Sequence, residues 1–384
     1  MNRRRFIAAG CACCGALAGG AALAQTDWQS PARFSRPDIA TDEGGLWALM
    51  DREESRLRRS PFSLRDPELR DYIQGIACKL AGDHCPDVRV YLVRTPLFNA
   101  SMAPNGMMQV WTGLMLRAEN EAQLAAVVGH EIGHYLSRHS LDRLRDAKAR
   151  SAYGTFFAMF GAVGMIGQLG VLASSFSYSR DQEREADAIG LALMRKAGYD
   201  PAEAAKVWGN LLLELKAKSD FDKDRPGPMF ATHPAIEERQ ETLKQLAQSA
   251  PGGTTNSQVW EEKIKPYRRE WLVEDIKRGQ YEESIALFTR MIGPAPTQAD
   301  FVYARGEVYR LRAKDNDLDS AVADYQTAIA IGSEPPETYR GLGAIQRSRK
   351  QLAEARASYR RYLEVAPNAP DSPMIRSYLE ELGT

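Results

Sequence analysis

Cysteine and histidine are scarce in this chain of 384 residues, five of each, and neither sign of charge is in excess. Three of the cysteines, Cys11, Cys13 and Cys14, crowd into the first 14 residues, which leaves Cys78 and Cys85. Two sulfurs do not make a disulfide framework, so the fold must rest on an apolar core. In an oxidising compartment they are a disulfide candidate worth about 2.5 kcal/mol for so short a loop; otherwise they are two free thiols. Lys plus Arg and Asp plus Glu balance at 50 each. The chain therefore lacks the basic field that holds a phosphate backbone, and nucleic acid is not expected as a partner. Long leucine-rich runs are missing too. Residues 152–176 carry no charge over 25 positions, but five glycines and Gln168 make them a weak membrane span.

Apolar residues make up 44% and charged residues 26%, ordinary values for a globular protein. The length exceeds one typical domain, so more than one is expected. Residues 1–24 read as an export signal: Arg3, Arg4 and Arg5, an Ala/Gly-rich uncharged run from Phe6, and Ala22-Leu23-Ala24 for cleavage ahead of Gln25. The arginine start fits a twin-arginine signal as well as an ordinary one. An uncleaved anchor and a lipid-anchored form at Cys11 are the alternatives.

Residues 25–60 read as an N-terminal helical segment, with Leu46, Leu49, Met50 and Leu57 near helical spacing. A compact region follows over 61–250. Pro251 to Ser257 clusters turn formers and opens a linker over 251–265. Over 266–384 the chain repeats: Ser284, Ala321 and Ala355 recur at spacings of 37 and 34 residues, as do Phe288, Tyr325 and Tyr359. Two helices per ~34 residues is the tetratricopeptide period. Small residues at Gly306 and Gly343 would let paired helices close around the aromatics. Such hairpins present a concave surface to another protein.

The chemistry lies in Leu124-Ala-Ala-Val-Val-Gly-His130-Glu131-Ile-Gly-His134. Two histidines four apart on one helix grip a single Zn²⁺, while Glu131 turns aside toward a metal-bound water whose pKa zinc lowers to about 7. Glu131 can take that proton and return it to the leaving amine. Gly129 and Gly133 would open space for substrate. A third ligand is expected in Tyr178-Ser-Arg-Asp-Gln-Glu183-Arg-Glu185-Ala-Asp187, where Glu183 and Asp187 again stand four apart. One carboxylate can bind zinc while the other fixes a histidine ligand. Arg138 and His139, just past the ligands, fit either a supporting role or a solvated helix end.

His-Glu-Ile-Gly-His followed 49 residues later by Glu-x-x-x-Asp, with Thr232-His233-Pro234 further on, resembles the BepA- and HtpX-like periplasmic zinc metallopeptidases, more closely the BepA-like members with C-terminal repeats. The resemblance covers roughly residues 99–243. It implies one zinc held by His130, His134 and Glu183, Glu131 as base, and Asp187 as partner of a histidine ligand. It implies also that His233 covers the zinc and holds the enzyme latent, against the plainer reading of His233-Pro234 as a helix start.

The fold expected is α+β and mostly α: a zincin-type domain with a small antiparallel sheet, then an all-α repeat domain. Gly106 to Thr112 alternates and is expected as an edge strand for substrate, or as an inner hairpin. Residues 152–176 are expected as a hairpin over the cleft, touching the membrane surface or a client. The expected function is hydrolysis of misfolded or stalled envelope proteins in the periplasm, near the outer-membrane protein assembly machinery that the resemblance implies. A chaperone or adaptor with a silent peptidase domain and a purely structural zinc site are the rivals.

Overall fold

The computed structural model describes residues 28–149, 178–218, 233, 236–249 and 251–383. The export signal at 1–24 and the uncharged segment at 152–176 lie outside them. Residues 28–32 form neither helix nor strand, and the described residues from Arg33 onward belong to one compact unit.

Helix α1 (Asp42–Arg59) starts at Thr41, whose side chain accepts from the Gly44 N–H and satisfies one of the free donors of the first turn. It buries Leu46, Leu49, Met50 and Leu57. Asp66 caps α2 (Pro67–Ala81) in the same way, with Pro67 in the first turn where its missing N–H costs nothing. A short 3-10 turn (Gly82–Asp87) follows, and Cys78 and Cys85 stand at bonding distance across it.

The sheet has three strands: β1 (Arg89–Val93), β2 (Ala100–Met102) and β3 (Met107–Trp111), in the order β1-β3-β2. β2 and β3 form an antiparallel hairpin, but β1 pairs with β3 in parallel, Arg89 opposite Met107. The sheet is therefore mixed, not antiparallel as expected. The chain reverses twice between β1 and β3, which restores its direction, and β3 then slots between the other two. That also moves the expected edge: the 106–112 segment supplies the central strand, with all five residues of β3 buried, and β2 is its neighbour on the outside. The turn into β3 requires Gly106, at φ +86, because a Cβ there would meet the Asp87 carbonyl oxygen at 2.0 Å. Leu57 of α1 packs with Val93, Met107 and Trp111 against the sheet.

Beyond the sheet come α3 (Thr112–Arg117), α4 (Glu121–Leu136), α5 (His139–Ala149), α6 (Arg180–Lys196), α7 (Ala202–Lys216) and α8 (Ile236–Gln248). α4 is capped by Asn120 and buried along its whole length. Ser179 and Gln182 form a capping box that starts α6. The charged start of α6 divides by face: Arg180, Asp181, Arg184 and Glu185 are exposed, while Glu183 and Asp187 point inward. Gly129 and Gly133 do not open space for substrate. A Cβ on Gly133 would meet the Ala186 carbonyl oxygen at 2.8 Å, and one on Gly129 the Gly190 oxygen at 3.3 Å, so these glycines let α4 and α6 lie against each other.

The expected linker is half helix. Residues 251–256 are tied down by hydrogen bonds between Thr254 and the 198–200 turn, and α9 (Ser257–Lys277) begins directly after. Then follow α10 (Tyr281–Ile292), α11 (Ala299–Arg312), α12 (Asp317–Ile331), α13 (Glu337–Ser348), α14 (Leu352–Val365) and α15 (Ser372–Glu381). Tyr325 fills the space left by Gly306 and Gly341, and Tyr359 the space left by Gly343. Trp260 of α9 donates to the Ala118 carbonyl, and the buried Arg117 pairs with Asp275 of α9 at 2.6 Å and Glu214 of α7 at 2.7 Å.

Candidate metal centre

Two helices and one further residue converge on a small buried volume. α4 presents His130, Glu131 and His134 from one side. α6 presents Glu183 and Asp187 from the other, and His233 joins them; each is at most 4% exposed. His134 Nε2 lies 3.1 Å from His130 Nε2 and 3.4 Å from Glu183 Oε1. His233 Nδ1 lies 3.2 Å from His130 Nε2 and 2.9 Å from Glu183 Oε1. These four donor atoms fall within 4.8 Å of one another. Four donors set tetrahedrally at 2.0–2.1 Å from an ion would be about 3.3 Å apart, so the set has the size and the nitrogen-oxygen chemistry for one divalent transition metal.

The remaining polar atoms hold this set in place. His130 turns Nδ1 to Asp187 Oδ1 at 2.9 Å. Arg239 of α8 donates to both oxygens of Asp187, at 2.6 and 2.8 Å, and lies 3.1 Å from Glu183 Oε2. Its guanidinium stacks over Trp208, 4.1 Å from the ring centre, and Trp208 in turn stands edge-on to His130. Tyr178 stacks on His134 at 3.8 Å between ring centres.

Electrostatics sort the carboxylates. Burial alone would raise Glu183, but His233 and Arg239 outweigh it and hold the group well below its usual range. Asp187 is likewise lowered, burial being overcome by Arg239. Glu131 goes the other way: burial raises it, with His233 and His130 only partly compensating. Its Oε1 has no hydrogen-bond partner and stands 3.5 Å from His233 Nε2. Burial pushes His134 well below its ordinary value and lowers His139 as well, keeping both rings neutral at pH 7. One carboxylate is thus a fixed anion among the donors, and the other is a protonatable group beside them.

The family comparison decides what kind of domain surrounds these residues: positions 63–247 match the family model described as peptidase family M48. This region is an M48 peptidase domain. Over 259 residues the chain is 30% identical to the beta-barrel assembly-enhancing protease of Yersinia pestis, covering 61% of this chain and 52% of that protein. Its likeness to the protein of the same name from Escherichia coli is 28% over 226 residues, 53% of this chain and 45% of the other. A mitochondrial metalloendopeptidase of Arabidopsis thaliana is 31% identical over 156 residues, 41% of this chain and 31% of that protein. The chain spans about half the length of these bacterial relatives.

All six residues singled out in the sequence for the site meet in the M48 domain. Arg239, Trp208 and Tyr178 meet there too and were not read as site residues. Arg239 sits in an otherwise ordinary amphipathic helix, and the one signal available was a lone arginine on the buried face of α8.

Proposed function

We propose that the protein is a zinc-dependent endopeptidase of the cell envelope, in which His130, His134 and Glu183 bind one zinc ion and Glu131 is the general base. The observation that carries this reading is the convergence of three donor side chains from two helices with a buried carboxylate directly beside them, whose Oε1 accepts no hydrogen bond. Held by these residues, zinc would supply a Lewis acid that acidifies water to a pKa of about 7 and polarises a peptide carbonyl. Glu131 Oε1 takes the proton released as water adds to that carbonyl and gives it to the departing amine nitrogen. Asp187 orients His130, and Arg239 neutralises Asp187 so that two buried carboxylates can stand side by side. In this reading an extended substrate adds to β2, the outer strand of the sheet, whose Met102 lines a small recess together with His134, Tyr135 and Arg138.

His233 is the latency device in this reading. With its Nδ1 among the donors it would fill the fourth position on a bound metal, the one substrate or water needs. The same arrangement favours a second reading, in which four protein donors make a closed structural zinc site and the helices after residue 256 act as a chaperone or adaptor. Those helices, as tetratricopeptide-like hairpins, would recruit clients. In this reading the clients are misfolded or stalled outer-membrane proteins, the partner is their assembly machinery and the location is the periplasm, which agrees with relatives named for beta-barrel assembly. No described helix is long and apolar enough to cross a membrane.

Metal content and casein hydrolysis, compared in wild type, Glu131→Gln and His233→Ala, test this. The expected outcome is about one zinc per chain, activity reduced at least about a hundredfold in Glu131→Gln with zinc retained, and activity raised in His233→Ala. Equal activity in wild type and Glu131→Gln, or no hydrolysis in any form of a zinc-loaded protein, would sink the peptidase.

A further inference from the structure

His139 stands outside the donor cluster, yet it is 3% exposed and its Nδ1 lies 2.8 Å from His134 Nδ1. Resting on the metallopeptidase reading above, we propose that His139 is a positioning residue: it holds the ligand His134 in the one tautomer and orientation that serve the metal, and couples it to the surface carboxylate of Glu185.

The local chain geometry is built for this contact. On an uninterrupted helix a residue five positions beyond His134 would lie about 140° around the axis and face elsewhere. α4 instead ends at Leu136 with Ser137 as its cap, and Arg138 adopts φ +57, a left-handed conformation uncommon for a residue with a side chain. The chain folds back at that residue, and α5 opens with the His139 ring against His134. Arg138 is kept there from outside, its guanidinium paired with Glu43 and lying 5.0 Å above the centre of the Phe34 ring. A strained backbone residue clamped by its own partners marks a place where exact position is being enforced.

The proton count follows from the distances. His134 Nε2 faces His130 and Glu183 among the donors, so it must offer its lone pair there. Its proton is then on Nδ1 and is donated to His139 Nδ1. His139 carries its own proton on Nε2, which lies 3.5 Å from Glu185 Oε2, while Glu185 Oε1 accepts from the Ser137 hydroxyl at 2.7 Å. Tyr178, stacked on His134, sets the plane of the ring, and the bond to His139 sets its rotation within that plane. The two histidine ligands are thus backed differently. His130 leans directly on a carboxylate, whereas His134 reaches one through a second imidazole.

The test is zinc affinity, measured by competition with a chromophoric chelator on the full exported chain. His139→Leu, which fills the space but accepts nothing, is expected to bind zinc 10- to 100-fold more weakly, the usual cost of losing such a support. His139→Asn, whose amide oxygen can stand where Nδ1 stood, is expected to recover most of that loss. The cobalt-substituted protein should show an altered visible spectrum in the leucine variant and a near-native one in the asparagine variant. Glu185→Ala, at an exposed position, should weaken zinc a few-fold and serves if the leucine variant does not fold. Wild-type affinity in His139→Leu, or in Glu185→Ala should that variant be needed, overturns this inference alone. A wild-type chain that binds no zinc overturns the metallopeptidase reading and this inference with it.

Discussion

Glu54 accounts for much of how α1 is fastened to the sheet. It is 5% exposed and accepts from Arg89 through both oxygens, from Tyr91 at 2.6 Å and from Arg58 at 2.9 Å. Burial opposes its charge, but these bonds lower its pKa to about 2. A carboxylate whose pKa is depressed on folding stabilises the fold above its unfolded value of about 4.3, and that stability disappears as pH falls toward 2. About 2 kcal/mol is expected to be lost between pH 5 and pH 2.5 on this account. Urea midpoints of wild type and Glu54→Gln across that range check it: the gap between them should narrow as pH falls, and a constant gap would refute the assignment. Residue identity made His130, Glu131 and His134 legible because their chemistry is tied to a four-residue spacing along one helix. Arg239 was not legible, because its partners Asp187 and Glu183 are more than fifty positions away in the chain and nothing local distinguishes it from a surface arginine.

At the level of elements, the proposed metal site depends on two helices lying closer than ordinary side chains permit. Gly133 of α4 faces Ala186 of α6, and Gly190 faces His130, where an added Cβ would sit 3.0 Å from the His130 nitrogen. Gly133→Val should therefore push the helices apart, destabilise the protein by about 1–3 kcal/mol and weaken zinc binding together with it. A thermal melt of the metal-free protein and a chelator competition measure the two effects. A melt at the wild-type temperature with unchanged affinity would show that the helix contact is looser than it stands here. The strands show the opposite case. Alternation in 106–112 announced a strand but could not say which neighbours it would have, because pairing is decided by the connections on either side of it.

At the scale of the molecule, the C-terminal helices are fastened to the M48 domain through buried and half-buried ion pairs. Arg117 joins α3 to α7 and α9, Arg290 of α10 pairs with Glu214 and Glu119, and Lys218, just beyond α7, reaches Glu283. Asp275 is fully buried and also accepts from Ser284, burial being overcome by Arg117 and Arg278 to keep it ionised. Removing Asp275 leaves the buried Arg117 paired with Glu214 alone, so Asp275→Ala is expected to cost about 1–3 kcal/mol. Its urea unfolding should split into two transitions where the wild type is expected to give one. A single unshifted transition in the variant would mean that the two halves are held by other contacts.

Sequence alone determined what depends on neighbours along the chain. The histidine pair on α4 and the carboxylate pair on α6 follow the 3.6-residue period of a helix, and the small and aromatic residues after residue 279 recur at 34 to 37 positions; both patterns are visible without knowing what the helices touch. Tertiary structure decided what depends on residues far apart: a mixed sheet with β3 at its centre, glycines that serve helix contact rather than substrate space, Arg239 beneath the acidic pair, and His139 against His134. Each of these is a packing choice among surfaces that local sequence leaves open, and burial, with the need to pair every buried charge, selects one of them.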